Sequence, residues 1–174
     1  MTSRSELIQQ LSQQGEIIAA MLQLFSTDFA TERYAPDKWC ALEIACHLAD
    51  EEAEDFRARL RHILETPDAP MPSISPANWI KDRHYIDRDF SDEIERFRIE
   101  RQASLLWLRT LNDAPWENAY QHPTVGSVPA GLILVNWVTH DVLHIRQLLS
   151  LRYQLLKARS PFPLDYAGEW PGGV

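Results

Sequence analysis

Cysteine is nearly missing from this 174-residue chain, which has only Cys40 and Cys46. Six positions apart in one helix and its approach, they suit neither a disulfide framework nor a zinc knuckle, and a reducing, cytoplasmic setting is expected. Positive charge is also short, 17 Lys and Arg against 25 Asp and Glu, for a net charge of -8. A surface of that sign repels phosphate backbones and anionic membranes, so no nucleic-acid partner is expected. Long hydrophobic runs are lacking as well. The opening MTSRSELIQQLSQQ alternates polar and apolar residues without the apolar core of a signal peptide. The longest stretch free of Asp, Glu, Lys, Arg and His apart from His122, residues 118–139, is broken by Pro123, Gly126 and Pro129 and is too short in its apolar part to span a bilayer. Neither export nor a membrane partner is expected.

What the sequence has in quantity is helical periodicity. Residues 4–26 carry Leu7, Leu11, Ile18, Leu22 and Phe25 at three- and four-residue spacing, and Ser3 with Glu6 has capping-box spacing. A second helix is predicted over 40–65, with a stripe of Leu42, Ala45, Ala49, Phe56, Leu60 and Ile63. PDAPMPSISP, residues 67–76, holds four prolines and is expected to be a crossover, since each removes a donor and fixes φ. A third helix is predicted from Ser91, taken as N-cap, to about Asn112. The fourth runs from Pro129, in its first turn, to about Leu156; apolar almost all round, it is expected in the middle of its neighbours. The reading is an all-α four-helix bundle with a long crossover between the second and third helices. Residues 1–157 form this domain, and 158–174 form a tail expected to pack on it through Phe162, Tyr166 and Trp170.

The greasy last helix carries His140 and His144, about 40° and 6 Å apart on one face, a spacing that suits two ligands of one metal ion. H-x-x-x-H also fits two packed histidines bonded to backbone or water. On the second helix His47 lies opposite the apolar stripe, near Asp50, Glu51 and Glu54. That position suits a solvated histidine or a ligand whose second ring nitrogen is held by an acidic neighbour.

Two motifs decide between these readings. Trp39, Glu43, His47, Leu48, Asp50 and Glu52 give W-x3-E-x3-H-L-x-D-x-E; some ninety residues on, Trp137, His140, Asp141, His144, Gln147 and Leu148 give W-x2-H-D-x2-H-x2-Q-L. Together with the crossover leading to Trp79 and Tyr85 and the WENAYQHPTVGSVP segment, they resemble the DinB-like family over nearly the whole chain. The resemblance implies a bundle, often dimeric, in which three histidines, here His47, His140 and His144, bind a divalent metal. One departure is Cys40, where many relatives have serine or threonine; a thiol caps poorly, which puts the capping box with Glu43 in doubt.

Three neutral imidazoles leave positions for water, and both zinc and nickel accept that set. Such an ion activates water or a small thiol, so the expected function is that of a metal-dependent hydrolase or thiol-dependent transferase acting on a small molecule, with a low-molecular-weight thiol as candidate partner and a homodimer as expected assembly. A metal-stabilised scaffold or stress-related dimerising module is the alternative. Candidate pocket residues are Asp50, reaching back toward His47, and Gln147 and Asn136 on the His140 face; Tyr85, Trp79 and Trp137 are candidate pocket walls. Glu51 is read as surface charge. Glu52 points away from His47 and is expected in an ion pair with Arg146 or Arg101, while Asp141 is expected to pair with a neighbouring helix. His62, His84 and His122 lack partners at ligand spacing, and no base lies at motif spacing from either cysteine.

Overall fold

A computed structural model describes residues 2–170, apart from the side chain of Ala77. Its frame is a four-helix bundle. Helix α1 spans Arg4–Leu22, and Ser3 caps it: its hydroxyl accepts from the Glu6 amide at 3.3 Å while Glu6 Oε2 accepts from the Ser3 amide at 2.6 Å. The chain leaves the helix at Gln23, earlier than the periodicity suggests, because Phe25 is buried from a turn beyond the helix end.

The second bundle helix runs as α2 (Ala41–Asp50), a π-helical segment (Glu51–Phe56) and α3 (Arg57–Glu65). Its start bears on the doubt over Cys40. The Glu43 half of the box forms, since Glu43 accepts from the Cys40 amide at 2.9 Å and is held by Arg33 at 3.0 Å. Every residue of α2 is buried, so it has no solvated polar face. The cause is the crossover. After the proline-rich stretch it forms helix α4 (Pro76–Asp82), with Pro76 in the first turn, and a 3-10 turn at Tyr85–Asp87; both pack on the side of α2 that the bundle leaves bare.

Helix α5 spans Phe90–Arg109. Its N-cap is Asp89, not Ser91: the Asp89 carboxylate accepts from the Asp92 amide at 3.0 Å, and an anion at that place also suits the helix dipole. A hairpin absent from the periodicity follows, β1 (Ala119–His122) paired antiparallel with β2 (Gly126–Pro129). Its turn uses Gly126 at φ 79 and the His122 ring, whose Nδ1 accepts from the amides of Thr124 and Val125. Helix α6 (Ala130–Arg159) then begins after Pro129, which is the N-cap and not part of the first turn.

α6 buries one side only, which corrects its expected central place. Val135, Val142, Leu149 and Leu156 recur at seven residues and are about half exposed. Of the tail residues expected to pack, Phe162 and Tyr166 are exposed and Trp170 stacks on Tyr153 at 4.7 Å. The tail's last four residues, 171–174, lie outside the described residues.

The core has two apolar clusters, one with Ile18, Leu48, Phe97 and Leu148, the other with Leu11, Leu60, Leu105 and Trp137. Between them on the four bundle helices lies a polar layer centred on Arg101, which is 4% exposed. Its guanidinium donates to Asp141 through Nη1 (2.6 Å) and Nη2 (2.8 Å), to Glu52 through Nε (2.9 Å), and to the Leu11 carbonyl (2.8 Å). Of the two partners expected for Glu52, Arg101 is the one. Gly15 makes room for it, as a Cβ there would meet Arg101 Cγ at 3.0 Å.

Removing one member of such a buried set leaves charge uncompensated. Arg101→Met should therefore lower the unfolding free energy in urea by roughly 3–5 kcal/mol. Replacing Glu52 and Asp141 by leucine in the same chain should restore much of that loss; a single variant as stable as the parent would contradict this role.

Candidate metal centre

His47 reaches the centre of the bundle from α2, and His140 and His144 reach it from α6. One ring nitrogen from each lies within 4.8 Å of the others, and Nε2 of His140 and His144 are 3.1 Å apart. The ring centroid of His47 stands 5.5 Å from that of His140 and 5.0 Å from that of His144. His47 and His144 are buried, while His140 is half-buried, so the approach to the cluster is from the His140 side. Trp39 lies edge-on to His47 at 4.8 Å, and Phe56 packs on His140 at 5.0 Å.

The environment keeps all three rings neutral. Burial pushes His47 down to about 3 and His140 to about 2, with the neighbouring ring His144 acting in the same direction on both. Burial takes His144 to about 4, with Gln147 beside it acting the opposite way. Neutral imidazole is the ligand form, and no ring proton has to leave before a cation binds. The donor set therefore fits a borderline divalent ion.

Several expected site residues stand elsewhere. Asp50 does not reach the His47 ring. Burial alone would raise its carboxyl, but Tyr85 (2.6 Å), Arg96 (2.6 Å) and Arg83 (2.7 Å) all donate to it and hold it below the usual carboxylate range. Nδ1 of His47 and of His144 have no hydrogen-bond partner among the described residues. Tyr85 is fully buried by its bond to Asp50, and Trp79 lies under the Arg83 guanidinium at 4.2 Å. Trp137 stacks on Phe56 and donates to Glu52 Oε2 at 2.9 Å, as a member of the core. Asn136 is exposed and donates to the Leu132 carbonyl at 2.8 Å, the local bond of a polar residue in a helix. Of the four candidates for pocket or supporting roles, only Gln147 borders the cluster. His62, His84 and His122 are outside it, His62 bonded to the Ala69 carbonyl.

Glu51 corrects the sequence reading most. It is 5% exposed, and its Oε1 lies 3.9 Å from Nε2 of His47. Burial, then the neighbouring charge of Asp55, pushes its carboxyl up to about 8. Helical angle alone placed it on a polar face; in the fold that face is buried, with the Glu51 carboxyl beside the His47 ring and its segment packed on α5 and α6.

A four-helix bundle with three histidines converging from two of its helices defines a class of helical protein whose centre could hold a metal ion. The sequence matches the DinB superfamily over residues 10–148, and the chain belongs to that superfamily. In structure it resembles YfiT from Bacillus subtilis, described as a probable metal-dependent hydrolase with an unusual four-helix bundle topology: TM-score 0.77, 18% identity, 89% of this chain and 90% of that one covered. It also resembles the mycothiol-dependent maleylpyruvate isomerase, at TM-score 0.69 and 12% identity over 84% of this chain and 61% of that one. No curated protein matches the chain in sequence.

The buried neutral rings set a pH dependence. Below about pH 6.5 the unfolded chain binds three imidazole protons that the folded chain refuses down to about pH 4. Glu51 opposes them, since it stays protonated in the fold where an unfolded carboxyl has ionised above about 4.5. Three less one leaves about two protons, so chelator-treated protein should lose stability as pH falls from 6.5 toward 5, by roughly 2.7 kcal/mol per pH unit at most. Urea unfolding across that range measures it, and stability that is flat or rising toward pH 5 would contradict the buried, neutral rings.

Proposed function

We propose that His47, His140 and His144 hold one divalent ion, zinc or nickel, and that the protein is a metal-dependent hydrolase or thiol-dependent transferase acting on a small molecule. The observation that carries this reading is the convergence of three neutral imidazoles in a wall of Trp39 and Phe56. An ion on that set would supply Lewis-acid activation, lowering the pKa of a water or small thiol that it binds. The chain's own residues do the rest. His140 faces the open side and admits the substrate, Trp39 and Phe56 exclude bulk water from the rings, and Gln147 offers an amide to a bound group. The likeness in fold to a protein described as a metal-dependent hydrolase and to a mycothiol-dependent enzyme supports both halves of the reading. A scaffold role for the ion is the weaker alternative, because Arg101 already ties the second and fourth bundle helices through Glu52 and Asp141.

The setting is proposed to be the reducing cytoplasm, supported by two cysteines that are both free and buried; among the described residues no helix is long and apolar enough to cross a membrane. The assembly is proposed to be a homodimer, supported by the half-exposed seven-residue stripe on α6, which an antiparallel second copy of the same helix would cover.

Purified protein should carry about one divalent ion per chain with an exchangeable water, and His47→Ala should lose most of that metal in elemental analysis. Full metal content in the variant would remove His47 from the site. Size-exclusion with light scattering should give a dimer for the parent and a monomer for Val142→Glu; a monomeric parent would overturn the assembly.

A further inference from the structure

The acidic run from Asp50 to Asp55 sorts itself by partner. Asp50 is held by Arg83 and Arg96, Glu52 by Arg101, Glu54 by Arg83 and Asp55 by Arg59. Glu51 alone makes no ion pair with a lysine or arginine among the described residues, Arg59 acting on it only at longer range, although it is one of the most deeply buried of the run. A buried carboxylate without a cation is costly, and such groups are retained where they bind metal. Its side chain lies between Asp55, one turn on, and His47, one turn back, and the Glu51 amide bonds to the His47 carbonyl so that Glu51 and His47 stack as an i, i+4 pair. Opposite them on α6 stand His140 and His144, a second i, i+4 pair. The run then enters a π-helical segment at Glu51, a local irregularity often found beside functional sites.

We infer that Glu51 is a fourth protein donor to the ion held by His47, His140 and His144, making the site two facing helical pairs, H-x-x-x-E and H-x-x-x-H. This rests on the three-histidine reading and extends it. Two donors on one ion with bonds of about 2.1 Å stand roughly 3.0–3.4 Å apart, so the 3.9 Å between Glu51 and His47 closes with a shift of less than about 1 Å on that edge; Glu51 stands just outside the three-histidine group, and its flexible side chain has to turn toward His140 and His144 as well. Four protein donors would saturate a four-coordinate zinc ion. An open position for water or thiol then calls for an ion that takes five or six ligands, which favours nickel of the two candidates.

The test uses the full chain with cobalt(II) and nickel(II) as probes. Glu51→Gln keeps the shape and removes the anionic donor. It should weaken both ions by about ten-fold or more in chelator competition and change the visible absorption bands of the cobalt-loaded protein, while its far-ultraviolet circular dichroism matches the parent. Since it also removes a buried carboxyl that has no ion-pair cation and stands beside Asp55, its chelated form should unfold at or above the parent's temperature, which separates loss of a donor from loss of the fold. Unchanged affinity with superimposable cobalt spectra would overturn this inference alone. A parent chain that takes up neither ion would overturn the three-histidine reading and this one with it.

Discussion

The whole arrangement depends on one guanidinium. Arg101 projects from α5 into the centre of the bundle and binds Glu52 on the second bundle helix, Asp141 on α6 and a backbone carbonyl on α1. It touches all four helices at one level. Apolar packing sets how close helices lie but tolerates sliding along their axes; a charge bonded to fixed carboxylates does not, because a slip of one turn would strand a buried ion. The layer also divides the hydrophobic interior into two clusters, so the chain fixes its axial register at the place where water is excluded from both sides.

The histidines sit beside this layer, and that explains their geometry. Glu52 follows His47 by five residues and Asp141 directly follows His140, so the bonds that register the helices also set the spacing between the rings. The low-dielectric environment that makes the ion network costly to break also keeps the imidazoles neutral. Asp50 serves a separate need, joining the crossover to α2 through Tyr85 and Arg83. Stability and a cation-ready site come from one distribution of charge.

The bundle, the crossover and the three histidines were legible because each rests on periodicity or on a motif. The apolar stripes repeat at helical spacing, four prolines between 67 and 76 exclude a helix, and His140 and His144 must share a face. Other features depend on what covers a helix from outside its own sequence. Glu51 and His47 have the angular position of solvated residues, yet His47 packs against Trp39 and the two α6 histidines and Glu51 is buried beside it. Asp50 has the reach for an imidazole but meets two arginines and a tyrosine that its own segment does not contain. Asn136 shares a face with His140 by angle, yet a carbonyl one turn back satisfies it first. The 119–129 hairpin escaped because four-residue strands carry too little alternation to rise above turn sequence.

The central claim, that rings from two helices share one cation, is tested most directly by anomalous X-ray diffraction from crystals of the full chain grown with nickel(II). The account predicts a single strong anomalous peak per chain, about 2.1 Å from one nitrogen of each of His47, His140 and His144. A peak at any other residues, or rings that point apart around no density, would contradict it.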